Sequence, residues 1–196
     1  MIDYLIHAYK IGTEPFRTLS ALRDEEALGV MKDLYMEGSI FWERFQDPAG
    51  YLRLRRQVED WLRSEFIAKG GKPRSSFPIY MMLGRSTWVQ ILLDAPTRAT
   101  TVEIEVPLCL FNEWEVSFTY PDSMVSFIEN YEKNEESFLP EYHGKVFTLC
   151  EIRSIVEANG LPGERWGMKL SSDLPNYIEA QVWNHEPLLA YKRRAS

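Results

Sequence analysis

Cysteine is scarce. Cys109 and Cys150 are the two thiols in 196 residues, and a pair so placed makes neither a disulfide framework nor a metal cluster. Reduced thiols in a cytoplasmic protein are expected. Basic charge is also in deficit. The net charge of −7 excludes general nucleic-acid binding, which relies on Lys and Arg to displace counterions from phosphates. Apolar runs are far too short to cross a bilayer, so no membrane association is expected. The opening MIDYLIHAYKIG has no basic run ahead of an apolar core and no cleavage pattern, and reads as folded chain rather than a signal. Repeats, linkers and low-complexity tracts are missing. So are the motifs GxSxG, GxGxxG, HExxH and CxxC. The Gly70–Ser76 run, GGKPRSS, lacks the GxxxxGK[ST] spacing and leads into Phe77-Pro78 instead of a helix, which excludes a phosphate loop. His7, His143 and His185 are too scattered for a metal-ligand set. Cys150 lies near a helix start, where a thiol is activated only with a base beside it, and none is placed there.

What is present is a hydrophobic fraction of 45%, enough to bury a core in a single domain spanning residues 1–196. The strongest β signal is Thr100 to Pro121. Val102, Ile104, Val106, Leu108 and Leu110 alternate with polar residues, and Trp114, Val116, Phe118 and Tyr120 resume the pattern. A three-residue loop, Phe111 to Glu113, pairs Leu110 with Trp114 and Leu108 with Val116 and keeps both apolar sets on one face. This predicts a hairpin with Glu103, Glu105 and Glu115 in solvent. Pro107 cannot donate to a ladder and marks an edge or bulge; a large bulge there would instead make two strands turning a corner.

Ile2 to Ile11 reads as a first strand, apolar on both faces and so well covered. A helix is predicted from Asp24, with Ala27, Leu28, Met31, Leu34 and Tyr35 inward and Gly38 as its stop. A second starts at Asp47-Pro48 and ends at Gly70-Gly71, with Tyr51, Leu54, Val58, Trp61, Leu62 and Phe66 facing the core. In it, Arg55 with Glu59 and Arg56 with Asp60 form surface pairs four residues apart. A strand follows at Ile79–Leu83, then an amphipathic piece at Trp88–Leu93. Pro121 to Tyr131 reads as a helix capped by Asp122 or Ser123. Glu132 to Glu141 is an exposed acidic loop. Thr148 and Glu151 form a capping box opening a helix closed by Asn159-Gly160. Gly160 to Pro175 is loop, Tyr177 to Trp183 a last strand, and Leu188 to Tyr191 a short further piece. Strands at both ends and in the middle, with helices between, predict an α+β fold on a mixed or antiparallel sheet.

Charge is uneven. Residues 53–85 hold eight basic and three acidic residues, whereas 103–157 hold twelve acidic and three basic. Solvated helix faces explain such blocks most simply, although the basic block is also able to steer an anionic ligand. One strand face is unusual. Tyr177, Glu179, Gln181 and Trp183 share a side of the last strand, a mixture of aromatic and carboxylate that suits a cleft wall. His7 and Tyr9 share a side of the first strand. Brought to one cleft, these residues would bind a nucleotide-like ring and stabilise positive charge at a reacting carbon. The competing readings are a partly exposed strand with a paired Glu, a small-molecule site without chemistry, and a protein-interaction domain using the acidic stretch.

The layout resembles an uncharacterised bacterial domain family, through Pro78-Ile79-Tyr80, the Val-Glu-Ile-Glu-Val-Pro run Val102–Pro107, and the Glu-x-Gln-Val run Glu179–Val182. It is distantly similar to ADP-ribosyltransferase-like folds. That resemblance implies NAD as cofactor, His7 as ribose contact, Tyr80 as the aromatic against nicotinamide, and Glu179 as the catalytic acid, with Tyr9 and Gln181 on the same wall. His-Ala-Tyr-Lys stands at His7–Lys10, without the glycine that usually follows this histidine.

Overall fold

The computed structural model describes residues 2–39, 42–86, 88–89, 95–133, 138–162 and 176–195. Five strands form one antiparallel sheet: β1 (Tyr4–Lys10), β2 (Ile79–Leu83), β3 (Thr101–Pro107), β4 (Val116–Thr119) and β5 (Glu179–Val182), in the order β3-β1-β2-β5-β4. Six helices are described: α1 (Asp24–Leu34), α2 (Pro48–Ala68), α3 (Ala95–Thr100), α4 (Ser123–Glu132), α5 (Leu149–Asn159) and α6 (Glu186–Ala195). The fold is α+β.

Alternation along the strands gives the sheet two apolar faces. On one, Leu5, Met81, Leu83, Val106, Phe118 and Ala180 pack with Leu149 and Ile152 of α5 and Leu188 of α6. On the other, Trp183 packs with Val58, Leu62 and Phe66 of α2. Ala27 and Met31 of α1 close over Tyr51 and Leu52 of α2, with Phe45 between them. Burial on both sides is why β1, flanked by β2 and β3, is apolar at nearly every position.

Local signals start and stop the helices. Asp47 accepts from the Gly50 amide at 3.0 Å ahead of Pro48, and Asp122 accepts from Val125 at 2.8 Å. Thr148 and Glu151 form a reciprocal capping box. In α1 the cap position falls on Arg23, with no side-chain bond, and Asp24, Glu25 and Glu26 occupy the first turn. Their charge favours the helix start in place of a cap. The expected short piece at Leu188–Tyr191 is part of the longer α6. The Trp88–Leu93 piece is described only at Trp88 and Val89; residues 134–137 of the acidic stretch and 163–175 of the following loop, with Trp166, lie outside the described residues.

The expected hairpin between residues 102–110 and 114–120 does not form. β3 pairs with β1 along Thr101–Pro107, and β4 pairs with β5, at opposite edges of the sheet. Pro107 ends the ladder, and the Leu108 amide turns back to the Asp3 carbonyl at 2.7 Å. Two 3-10 turns, Leu108–Leu110 and Glu113–Glu115, then carry the chain across. Four strand spacings of ~4.8 Å make ~19 Å, which this connection spans easily. Trp114, expected inside, is 45% exposed, and Glu115, expected in solvent, is 1% exposed. The Glu115 carboxylate accepts from the Asn112 amide at 3.0 Å and from the Asn184 side chain at 2.8 Å, with Arg74 at 3.4 Å. A carboxylate this well bonded is stable under the surface, and it pins the crossing.

Candidate functional site

Between the sheet and the helices α1, α2 and α4 lies a cavity of about 500 Å³. Its size falls within the roughly 300–1,000 Å³ typical of small-molecule sites. His7, Tyr9, Tyr80 and Glu179 all line it. These residues come from β1, β2 and β5, so the tertiary fold brings together side chains far apart in sequence.

Glu179 opens β5, opposite Met82 on one side and Thr119 on the other. Just beyond β4 the chain turns into α4, whose first amide, that of Ser123, donates to Glu179 Oε2 at 3.0 Å. Gln181 Nε2 donates to the same oxygen at 3.1 Å. Asp122 caps the same helix end and also lines the cavity. Two carboxyl groups thus share the N-terminus of α4. Burial, then the neighbouring Asp122 charge, pushes the Glu179 carboxyl up to about 7, against the opposing Ser123 and Gln181 bonds. Burial raises Asp122 as well, while the Val125 amide and Arg44 hold it down. Two carboxyls this close resist double ionisation, so the pair holds a proton more readily than either group would alone.

Gln181 lies behind this surface. It is fully buried, and its amide is consumed by the protein: Oε1 accepts from Ser117 at 2.9 Å, while Nε2 serves Thr119 at 3.0 Å and Glu179. The Trp183 indole extends the chain to Ser117 at 2.9 Å. Gln181 orients Glu179 and does not line the cavity.

His7 is placed by a gap in the sheet. β1 pairs with β2 at Leu5↔Leu83 and Ile6↔Met82, and Met82 pairs in turn with Glu179. In this register Glu179 is in step with Ile6 and one residue out of step with His7, so the two strand faces expected to meet are of opposite parity. The cavity reaches both because β1 and β2 part beyond Ile6 and the imidazole fills the opening. The Phe16 amide donates to His7 Nε2 at 2.9 Å, which leaves the proton on Nδ1 to be donated to the Tyr80 carbonyl at 3.2 Å. Burial lowers His7 to about 4, against the Tyr80 bond. Its ring is neutral, with both nitrogens engaged, and Tyr9 lies beside it with centroids 6.0 Å apart.

Tyr80 carries the other half of the site. Its hydroxyl donates to Glu59 Oε1 at 3.1 Å, and the Arg55 guanidinium carbon lies 4.4 Å from its ring centroid. Arg55 also lies 3.1 Å from Glu59. Burial, then the Glu59 charge, raises the Tyr80 phenol well above its ordinary value, so it remains a donor. The Arg55–Glu59 spacing reads in sequence as a surface pair; in the fold Glu59 is 1% exposed. Tyr177, read in sequence on the same strand face as Glu179, lines the cavity too, as does the capping residue Asp122, whereas Arg44 and Arg55 join the lining without a sequence motif. For Arg55 the signal was its spacing to Glu59 on the inward side of an amphipathic helix, close to Tyr51 and Val58.

Comparison of the chain with protein-family models, with curated proteins and with solved structures found no match. Among the described residues no helix is long and apolar enough to cross a membrane.

Proposed function

We propose that the chain binds a nucleotide-like small molecule in the cavity and acts on it through Glu179, in the manner of an ADP-ribosyltransferase-like enzyme. The observation that carries this reading is the convergence of Glu179, Tyr80, Tyr9 and His7 on one partly enclosed cavity. Aromatic rings suit a planar base or nicotinamide ring. A carboxylate beside them suits the positive charge that develops at the ribose C1′ when its bond to nicotinamide breaks and the electron pair leaves with the base. An acceptor then forms the new bond to C1′ and gives up its proton. Glu179 does this work as the carboxylate, the form that predominates above pH 7.

Calorimetry and a transfer assay with NAD test the reading together. NAD is expected to bind the wild-type chain. Glu179→Gln is expected to keep that affinity within about threefold and to lose turnover by about 100-fold or more, the scale on which removing a charge-stabilising group acts. Absence of heat at millimolar NAD, with no turnover, overturns it.

A binding protein without turnover is a second reading, favoured by His7, whose ring nitrogens are both bonded to backbone and so present no polar atom to a ribose. NAD binding with no turnover in the wild type selects it. A protein-interaction role rests on the uneven charge and the acidic stretch Glu132 to Glu141.

A further inference from the structure

We propose that Arg55 forms a phosphate-recognising subsite in the cavity, with the buried Glu59 as its positioning residue; for the remainder of the ligand this rests on the nucleotide-like reading above. Arg55 stands on α2 and lines the cavity. Its Nε donates to Ser20 Oγ at 3.0 Å and lies 3.1 Å from Glu59 Oε1, and its Nη1 donates to the Tyr51 hydroxyl at 3.3 Å. The guanidinium is laid over Tyr80. Among the described residues its Nη2 has no hydrogen-bond partner. A guanidinium carries five N–H donors and no acceptor. The bonds above leave one N–H on Nη1 and both on Nη2, the fork that matches two oxygens of a phosphate.

The surroundings favour an anion. The Arg55 side chain is 15% exposed, so its charge is only partly screened by water. Glu59 lies behind it and is not part of the lining, so the guanidinium is what the cavity meets at this point. Arg17, paired with Glu26 at 3.3 Å, and Arg44 line the same cavity. The acids Asp122 and Glu179 line the cavity with one oxygen each held by an α4 amide, and Glu103, also in the lining, is paired with Arg85 at 2.7 Å.

Glu59 has an unusual place. One oxygen holds both Arg55 and Tyr80, and among the described residues the other is buried without a geometric hydrogen bond, the nearby Ser20 hydroxyl helping to hold the charge. Burying a carboxylate with an unmatched oxygen is unfavourable for stability alone. Its evident effect is to fix the plane of the guanidinium and the tilt of Tyr80 before a ligand arrives, which removes part of the ordering penalty of binding.

Calorimetry on the full chain at low salt, with inorganic pyrophosphate, AMP and adenosine as probes, tests this. Pyrophosphate is expected to bind, and AMP to bind at least tenfold more tightly than adenosine. Arg55→Gln is expected to abolish that preference and pyrophosphate binding while leaving adenosine unchanged. Arg55→Lys, which keeps the charge without the fork, is expected to reduce the preference at least threefold and decides the matter if Arg55→Gln is unfolded by circular dichroism. Glu59→Gln is expected to weaken AMP and spare adenosine, whereas a purely structural role would weaken both alike. An AMP preference undiminished in the folded Arg55 variants overturns the proposal, as does failure of both pyrophosphate and AMP to bind the wild type. Heat with pyrophosphate but none with adenosine or NAD leaves the subsite standing and removes the nucleotide reading. AMP binding indifferent to Arg55 does the reverse.

Discussion

The backbone amide of Ser123 donates to Glu179 Oε2 at 3.0 Å, so the start of α4 is bonded directly to the start of β5. This contact holds a half-buried carboxyl at the cavity wall next to a second one, Asp122. Burial first, and then that crowding, raises the Glu179 carboxyl.

Glu179 makes stability depend on pH. Its ordinary value is 4.5, and in the fold it rises to about 7. Between those values the folded chain keeps a proton that the unfolded chain releases. The contribution is therefore full below pH 4.5 and is lost as pH rises through 7. Melting temperatures of wild type and Glu179→Gln, measured from pH 4.5 to 8, are expected to shift relative to one another, the wild type losing ground as pH rises. A difference independent of pH would show that Glu179 ionises as it does in water.

His7 acts with the opposite sign. Burial holds it at about 4 in the fold against an ordinary 6.5. On acidification the unfolded chain takes up a proton that the folded chain refuses, so this contribution is present above pH 6.5 and is lost as pH falls through 4. His7→Phe leaves the Phe16 amide and the Tyr80 carbonyl without their partner. It is expected to destabilise the chain by about 2–4 kcal/mol at pH 7.5, and the gap is expected to narrow by about 2 kcal/mol at pH 5. Urea unfolding at the two pH values reads both effects, and a gap that widens on acidification contradicts the assignment.

Gln181→Leu tests the buried amide. The leucine fills similar space but leaves Ser117, Thr119 and Glu179 short of a bond. A loss of about 2–4 kcal/mol is expected in chemical denaturation, because each group stays buried. Glu179 loses a donor to its carboxylate form, so the pH at which the Glu179-dependent change in stability occurs is expected to move up. An unmoved midpoint would mean that Gln181 does not orient Glu179.

Thr148→Ala removes a helix cap far from the cavity. Thr148 Oγ1 accepts from the Glu151 amide at 3.3 Å, and Glu151 returns to the Thr148 amide at 2.7 Å. A loss of about 1 kcal/mol is expected, with no change in the affinity of any cavity ligand. Weakened binding in this variant would couple α5 to the site.

Legibility followed the range of the forces. The starts of α2, α4 and α5 were readable because Asp47-Pro48, Asp122 and Thr148-Glu151 act within one turn. β2 was readable to the residue, since alternation and flanking turns are equally local. Pairing was not. Residues 102–110 and 114–120 alternate as a hairpin would, but alternation records burial and does not name the neighbouring strand. Pro107 and the Glu115–Asn184 bond send the second segment to the far edge of the sheet.

The same division holds at the site. Composition alone picked out Glu179 on an aromatic strand face and His7 with Tyr9 on another, because aromatic and ionisable side chains on a strand are unusual wherever they stand. Their arrival at one cavity depended on the strand order β3-β1-β2-β5-β4 and on the parting of β1 from β2, which no single segment encodes. Arg55 and Glu59 show the limit most clearly. In sequence they are an ordinary pair four residues apart; burial by the packing of α2 on the sheet, with Tyr80 beneath, turns that pair into a fixed guanidinium at the cavity wall. The chain's local chemistry determined which elements form and which side chains are chemically unusual. The tertiary packing decided which of them lose their water, and with it which charges become strong.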